Sequence, residues 1–234
     1  MTTTSHPAAR EGVRRLSVAH FLVALAVWIV AAPFLNQLPY SEMLESVLLT
    51  VVLLAAVMAV GARRRTLIWA VILVTPAVIA TWVHHFRPDV TPEVFRMAVA
   101  LVFIAFVAVH LVRFILRAPW VDSEVLCAAV ATYLLLGLLW GFAYELTASG
   151  NPDAFVFTIG QHRNMIGFEA LYFSFGALTN YYGDIIPVSN VARMLALTEG
   201  IIGMFYVAVL IARLVSLYAT RPTTEANRTM DNPS

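Results

Sequence analysis

Six apolar runs, each about long enough to cross a bilayer, alternate with segments that hold most of the charge. The runs fall at about 16–35, 45–62, 66–84, 95–117, 121–147 and 190–219. A spanning helix needs roughly 20 apolar residues to cross a hydrocarbon layer about 30 Å thick. Backbone polar groups in lipid must be satisfied within the segment, so runs of this length predict helices. With 60% of residues hydrophobic and 12% charged, the chain has more apolar surface than a water-soluble core can hide. The expectation is an all-α membrane protein with six transmembrane helices and membrane lipid around it.

The loops orient these helices. Arg10, Arg14 and Arg15 precede the first run, and Arg63, Arg64 and Arg65 separate the second from the third. Arg113 and Arg117 close the fourth, and Arg221 and Arg228 follow the sixth. The intervening segments (36–44, 85–94 and 148–168) carry Glu42, Asp89, Glu93 and Asp153 with fewer Arg. The positive-inside rule then puts both termini in the cytoplasm of a multi-pass cell-membrane protein. The polar start of the chain lacks the short hydrophobic core and cleavage site of a signal peptide, so the first run is expected to remain as a span. Pro76 falls inside the third run and predicts a kink there. The organisation expected is a cytoplasmic segment (1–15), a four-helix membrane domain (16–117), a module of two helices and an intervening loop (118–219), and a disordered cytoplasmic tail (220–234).

The fourth run bears on voltage sensing. A sensor helix carries Arg at every third position through the bilayer. Here Arg96 sits at one end, His110, Arg113 and Arg117 at the other, and Met97 to Val109 holds no charge. Steep voltage sensing is not expected. The single Cys127 permits no internal disulfide. His84 and His85 beside Arg87 suggest either a sensor of external pH or an interfacial pair.

Between the last two runs, residues 148–189 are too polar and interrupted to cross the membrane. Within them, Phe168 to Leu178 is aromatic and apolar, with Glu169 near its start, where an acid suits the positive end of a helix dipole. One reading is a helix that dips into the membrane, followed by Thr179 to Asp184 returning outward as extended backbone. Such backbone is tolerated at membrane depth only where protein or a water-filled path surrounds it. The other reading is an ordinary external loop.

Residues 118–218 resemble the pore module of bacterial potassium-channel-family proteins, which has two pore-forming helices and a re-entrant loop. The resemblance rests on Leu171-Tyr-Phe-Ser-Phe175, Leu178-Thr179, Tyr182-Gly-Asp184, Pro187-Val-Ser189, Ala192-Arg-Met-Leu195 and Leu210-Ile-Ala-Arg-Leu214. It implies a voltage-gated-like channel architecture, six helices plus a pore helix, assembled as a homo-tetramer around one pathway. It also implies an ion pathway through Thr179, Asn180, Tyr181, Tyr182, Gly183 and Asp184, with monovalent cations (K+ or Na+) as permeant ions. No cofactor, metal or nucleic-acid partner is expected.

The family's filter reads Thr-x-Gly-Tyr-Gly-Asp, with an apolar x. Its glycines let successive carbonyls point inward and replace the hydration shell of the ion. Aligned backwards from Asp184, Gly183 and Tyr182 match, but Tyr181 replaces the first Gly and Asn180 the apolar residue. Aligned forwards from Ser174, the segment is one residue short, and Gly176 and Ala177 replace the usual Val and Thr. Both registers lose the first filter glycine. A Tyr forced to positive φ there costs on the order of 1–2 kcal/mol, so the expectation is a different local path and weakened potassium selectivity.

Several further features bear on such a pathway. Glu199 lies about one-third of the way into the last run, beside Gly200 and Gly203. An intramembrane carboxyl either adds negative charge near the inner filter mouth or braces the pore helix from behind. The two glycines allow close packing or a hinge. Asp184 forms a carboxylate ring in a tetramer, or caps a turn before Pro187. Glu145 ends the fifth run and either bonds backbone behind the filter or is merely solvated. Glu145, Glu169, Glu199, Gly200 and Gly203 are thus the expected pore-support or gating residues. A cation channel leads, a non-conducting channel-like scaffold follows, and a transporter comes last; no nucleophile–base pair or phosphate-binding loop points to an enzyme.

Overall fold

The computed structural model describes residues 7–35, 41–60, 64–87, 92–159, 164–181 and 183–219. Within them the chain forms seven α-helices: α1 (Pro7–Leu35), α2 (Ser41–Val60), α3 (Arg64–Phe86), α4 (Glu93–Arg117), α5 (Ser123–Gly150), α6 (Phe168–Leu178) and α7 (Asn190–Ala219). Within the described residues, each of the six apolar runs falls largely in one long helix. Four helices are long and apolar enough to cross a membrane, over Arg64–Val83, Val94–Arg117, Ser123–Gly150 and Asn190–Ser216. The apolar stretches of α1 and α2, Val18–Phe34 and Ser46–Val60, are shorter. Helix α1 starts at Pro7, earlier than the expected span. The tail 220–234 and the first six residues lie outside the described residues, as do the side chains of His84 and His85.

Helices adjacent in sequence pack on one another from α1 through α4; α4 and α1 also pack on α5. The shared core contains Phe21, Leu25, Leu53, Phe103, Val107 and Leu135. Pro76 lies inside α3, which continues across it. Trp69 and Trp120 are exposed, whereas Trp28 is buried in the core. Much of the apolar surface described on α7 is open: Met194, Leu197, Met204, Phe205 and Ile211 are each more than half exposed.

One departure from an all-α chain stands at the α5–α6 and α6–α7 connections. Phe155–Phe157 (β1) pairs antiparallel with Ile185–Pro187 (β2), with Phe157 opposite Ile185. A three-residue 3-10 turn, Pro152–Ala154, leads into β1 with Asn151 as its cap. The ribbon ties the two ends of the segment between α5 and α7 together, and Val188 and Ser189 N–H also bond the Ala154 carbonyl. Ser189 Oγ then accepts the Ala192 N–H at 3.1 Å and starts α7. At the far end, Arg213 of α7 donates to the carbonyls of Leu116 (2.9 Å) and Ala118 (2.7 Å). This fastens α7 to the end of α4.

Candidate functional site: a short helix held between two long ones

The expected pore helix, Phe168 to Leu178, forms as α6 and packs against both α5 and α7. Its start is set by Gly167, whose φ of +59° is a left-handed backbone that glycine adopts without a Cβ clash. The Gly167 N–H donates to Oε1 of the buried Glu145 near the end of α5. A carboxylate there faces the positive end of the α6 dipole. Glu145 therefore bonds backbone at the start of the short helix and is not a solvated helix end. Glu169 lies in the first turn, as expected.

The flank of α6 is pinned by a polar cluster inside an apolar wall. Ser174, Tyr144 and Glu199 are all fully buried. The Tyr144 hydroxyl donates to Glu199 Oε2 at 2.5 Å, and Ser174 Oγ lies 2.6 Å from Glu199 Oε1. Ser174 also reaches the Gly137 carbonyl of α5 at 2.7 Å. Three helices thus meet at one carboxyl group. Around it Tyr144, Phe155 and Phe173 pack edge to face, with ring centroids 4.8–5.8 Å apart. Glu199 is accordingly a brace behind the short helix. Gly200 and Gly203 are buried beside it. A Cβ at Gly203 would stand 2.7 Å from the Leu178 carbonyl oxygen, so this glycine serves close packing of α7 on the end of α6.

The end of α6 corrects the expectation of extended backbone. Thr179 has φ −97° and ψ 6°, and Asn180 has φ +57°. The Asn180 N–H bonds the Ala177 carbonyl (3.1 Å) and the Tyr181 N–H bonds the Gly176 carbonyl (2.8 Å). This is a Schellman turn with Asn180 as its left-handed residue, and it satisfies carbonyls that the helix end leaves open. Gly176 is needed in it, since a Cβ there would lie 2.5 Å from the Tyr181 carbonyl oxygen. Among the described non-glycine residues, positive φ falls on Asn180 and not on Tyr181, so the strain expected of a Tyr at a glycine position is avoided.

Beyond the turn, Tyr182 lies outside the described residues. Thr179, Asn180 and Tyr181 are exposed, with Tyr181 64% accessible. Gly183 packs so tightly under Tyr172 that a Cβ would come 2.3 Å from the phenol oxygen. The Asp184 carbonyl accepts from both N–H (2.8 Å) and Oγ1 (3.0 Å) of Thr158. Asp184 is therefore anchored through its main chain to the strand pair, and it lines a cavity of about 530 Å³ with Thr158, Ile159, Phe168, Tyr172, Tyr181 and Gly183.

Of the residues expected to support or gate the pathway, Glu145, Glu169, Glu199 and Gly203 lie on α6 or against it, and Gly200 is buried beside Glu199. Tyr144, Ser174 and Thr158 are partners that no expectation names. A hydroxyl in the apolar fifth run and another in the short helix were the available signals.

Residues 129–220 match the family model described as an ion channel. Nothing matches the chain among curated proteins or among solved structures. The matched stretch runs from within α5 through the end of α7, so this part of the chain is similar to ion channel domains.

Proposed function

We propose that the protein is a potassium-channel-like cation channel with a non-standard filter, weakly selective between K+ and Na+ and not voltage-gated. It acts as a homo-tetramer with six spans per chain in the cell membrane, both termini cytoplasmic, and the segments at residues 179–184 of the four chains converge on one pathway. The observation that carries this reading is α6 itself: a short apolar helix clasped by α5 and α7 within the ion channel domain, ending at the residues that resemble a filter. The exposed apolar face of α7 supports assembly with further copies and with lipid. In the tetramer, four Asp184 carboxylates concentrate cations at the outer mouth. The Schellman turn favours weak selectivity, because a capped helix end followed by an exposed Tyr181 leaves fewer stacked carbonyls to replace a hydration shell. The uncharged middle of α4 from Met97 to Val109 supports the absence of voltage gating.

The same turn favours a second reading, a non-conducting channel-like scaffold, if the capped end closes the pathway. Flux from liposomes holding the purified protein, with K+, Na+ and Cl− components separated, decides between them. The channel reading expects both cation fluxes, little anion flux, and lower cation flux for Asp184→Asn at low salt. Absence of cation flux from correctly assembled protein overturns it.

A further inference from the structure

Ser174 Oγ lies within 2.7 Å of the Gly137 carbonyl oxygen and 2.6 Å of Glu199 Oε1. A serine hydroxyl owns one hydrogen. That hydrogen serves one of the two oxygens, and a contact this short to the other needs a hydrogen from the far side. The Gly137 carbonyl has none to give. The Tyr144 hydroxyl hydrogen is already directed at Oε2. The set closes in one arrangement: Oε1 carries a hydrogen and donates to Ser174 Oγ, Ser174 donates to Gly137, and Tyr144 donates to Oε2. We propose that Glu199 is held as a neutral carboxylic acid that donates a hydrogen bond to the short helix, and so contributes no fixed charge to the ion pathway. The clause on the pathway rests on the channel reading; the hydrogen inventory does not.

The surroundings agree. Among the described residues, the hydrogen-bond partners of Glu199 are these two hydroxyls, with no guanidinium or imidazole. Tyr144 and Tyr133 face it from α5 and Ser174 from α6. The other acid nearby on α5, Glu145, bonds Gly167, and Glu169 sits at the start of α6. On α7 itself, Arg193 Nε donates to the Pro187 carbonyl and the Tyr206 hydroxyl to that of Ala129. Strand β2, which also touches α7, carries no ionisable side chain. An isolated carboxylate fully out of water and without a counter-ion is costly, and one bound proton removes that cost.

Infrared difference spectroscopy of reconstituted wild type against Glu199→Gln, at pH 7, tests this without needing ion current. The expected result is a protonated-carboxyl C=O band present in wild type and lost in the variant. In Ser174→Ala the band shifts to higher frequency, because its acceptor is gone. Loss of a carboxylate band alone overturns the proposal. Should Glu199→Gln fail to fold, wild type against Ser174→Ala decides: a shifted protonated-carboxyl band supports the proposal, and a missing or unmoved one overturns it. Because the readout is independent of flux, a protein that shows the band and conducts nothing would leave the neutral acid standing and remove the channel reading.

Discussion

The hydroxyl of Tyr144 reaches Glu199 Oε2 at 2.5 Å across 55 residues of sequence, joining α5 to α7 directly behind α6. The Tyr144 ring also packs on Phe155 and Phe173. One side chain thus connects the polar brace to the aromatic core of the module. Tyr144→Phe keeps the ring contacts and removes only the hydroxyl, leaving a buried carboxyl oxygen without its donor. The expected cost is about 1–3 kcal/mol, read as a lower unfolding midpoint in detergent. An unchanged midpoint would show that the bond contributes nothing net.

The turn after α6 gives a second test. Asn180 occupies left-handed backbone, which Gly adopts freely and a β-branched residue does not. Asn180→Gly should leave stability unchanged or slightly raised, while Asn180→Val should cost about 1–2 kcal/mol. Equal midpoints for the two variants would mean that the Schellman turn does not form in solution.

Close packing at Gly203 gives a third. Its neighbour is a backbone oxygen, Leu178 O, so an added methyl group cannot be accommodated by a side-chain rotation. Gly203→Ala should cost about 1–3 kcal/mol by overpacking and, in the proposed tetramer, lower the yield of assembled protein on size-exclusion chromatography. A stable variant with normal assembly would favour the hinge reading of this glycine.

The long helices were legible in the sequence because a bilayer imposes length and apolarity on anything that crosses it. The short helix α6 was legible too, since Phe168 to Leu178 is a compact apolar stretch with an acid at its positive end. Glu199 stood out as a carboxyl in an apolar run. Its partners did not, because Tyr144 and Ser174 lie 55 and 25 residues away and only the packing of three helices brings them together. The strand pair was missed for a similar reason: three-residue strands carry no periodicity, and Phe155–Phe157 and Ile185–Pro187 stand 30 residues apart, with α6 between them. The end of α6 was misread because the resemblance to a filter outweighed a local signal. Asn two residues past the last helical residue is itself a left-handed cap signal.

The central claim is that residues 179–184 form a cation pathway that has lost strict potassium selectivity. Its most direct test is the reversal potential of the reconstituted protein in a planar bilayer, with K+ on one side and Na+ on the other at equal concentration. The account predicts a potential near zero in that pair, and a strongly cation-selective potential in a KCl gradient. A bi-ionic potential displaced strongly toward the potassium-selective limit, or a chloride-selective one in the KCl gradient, would contradict it.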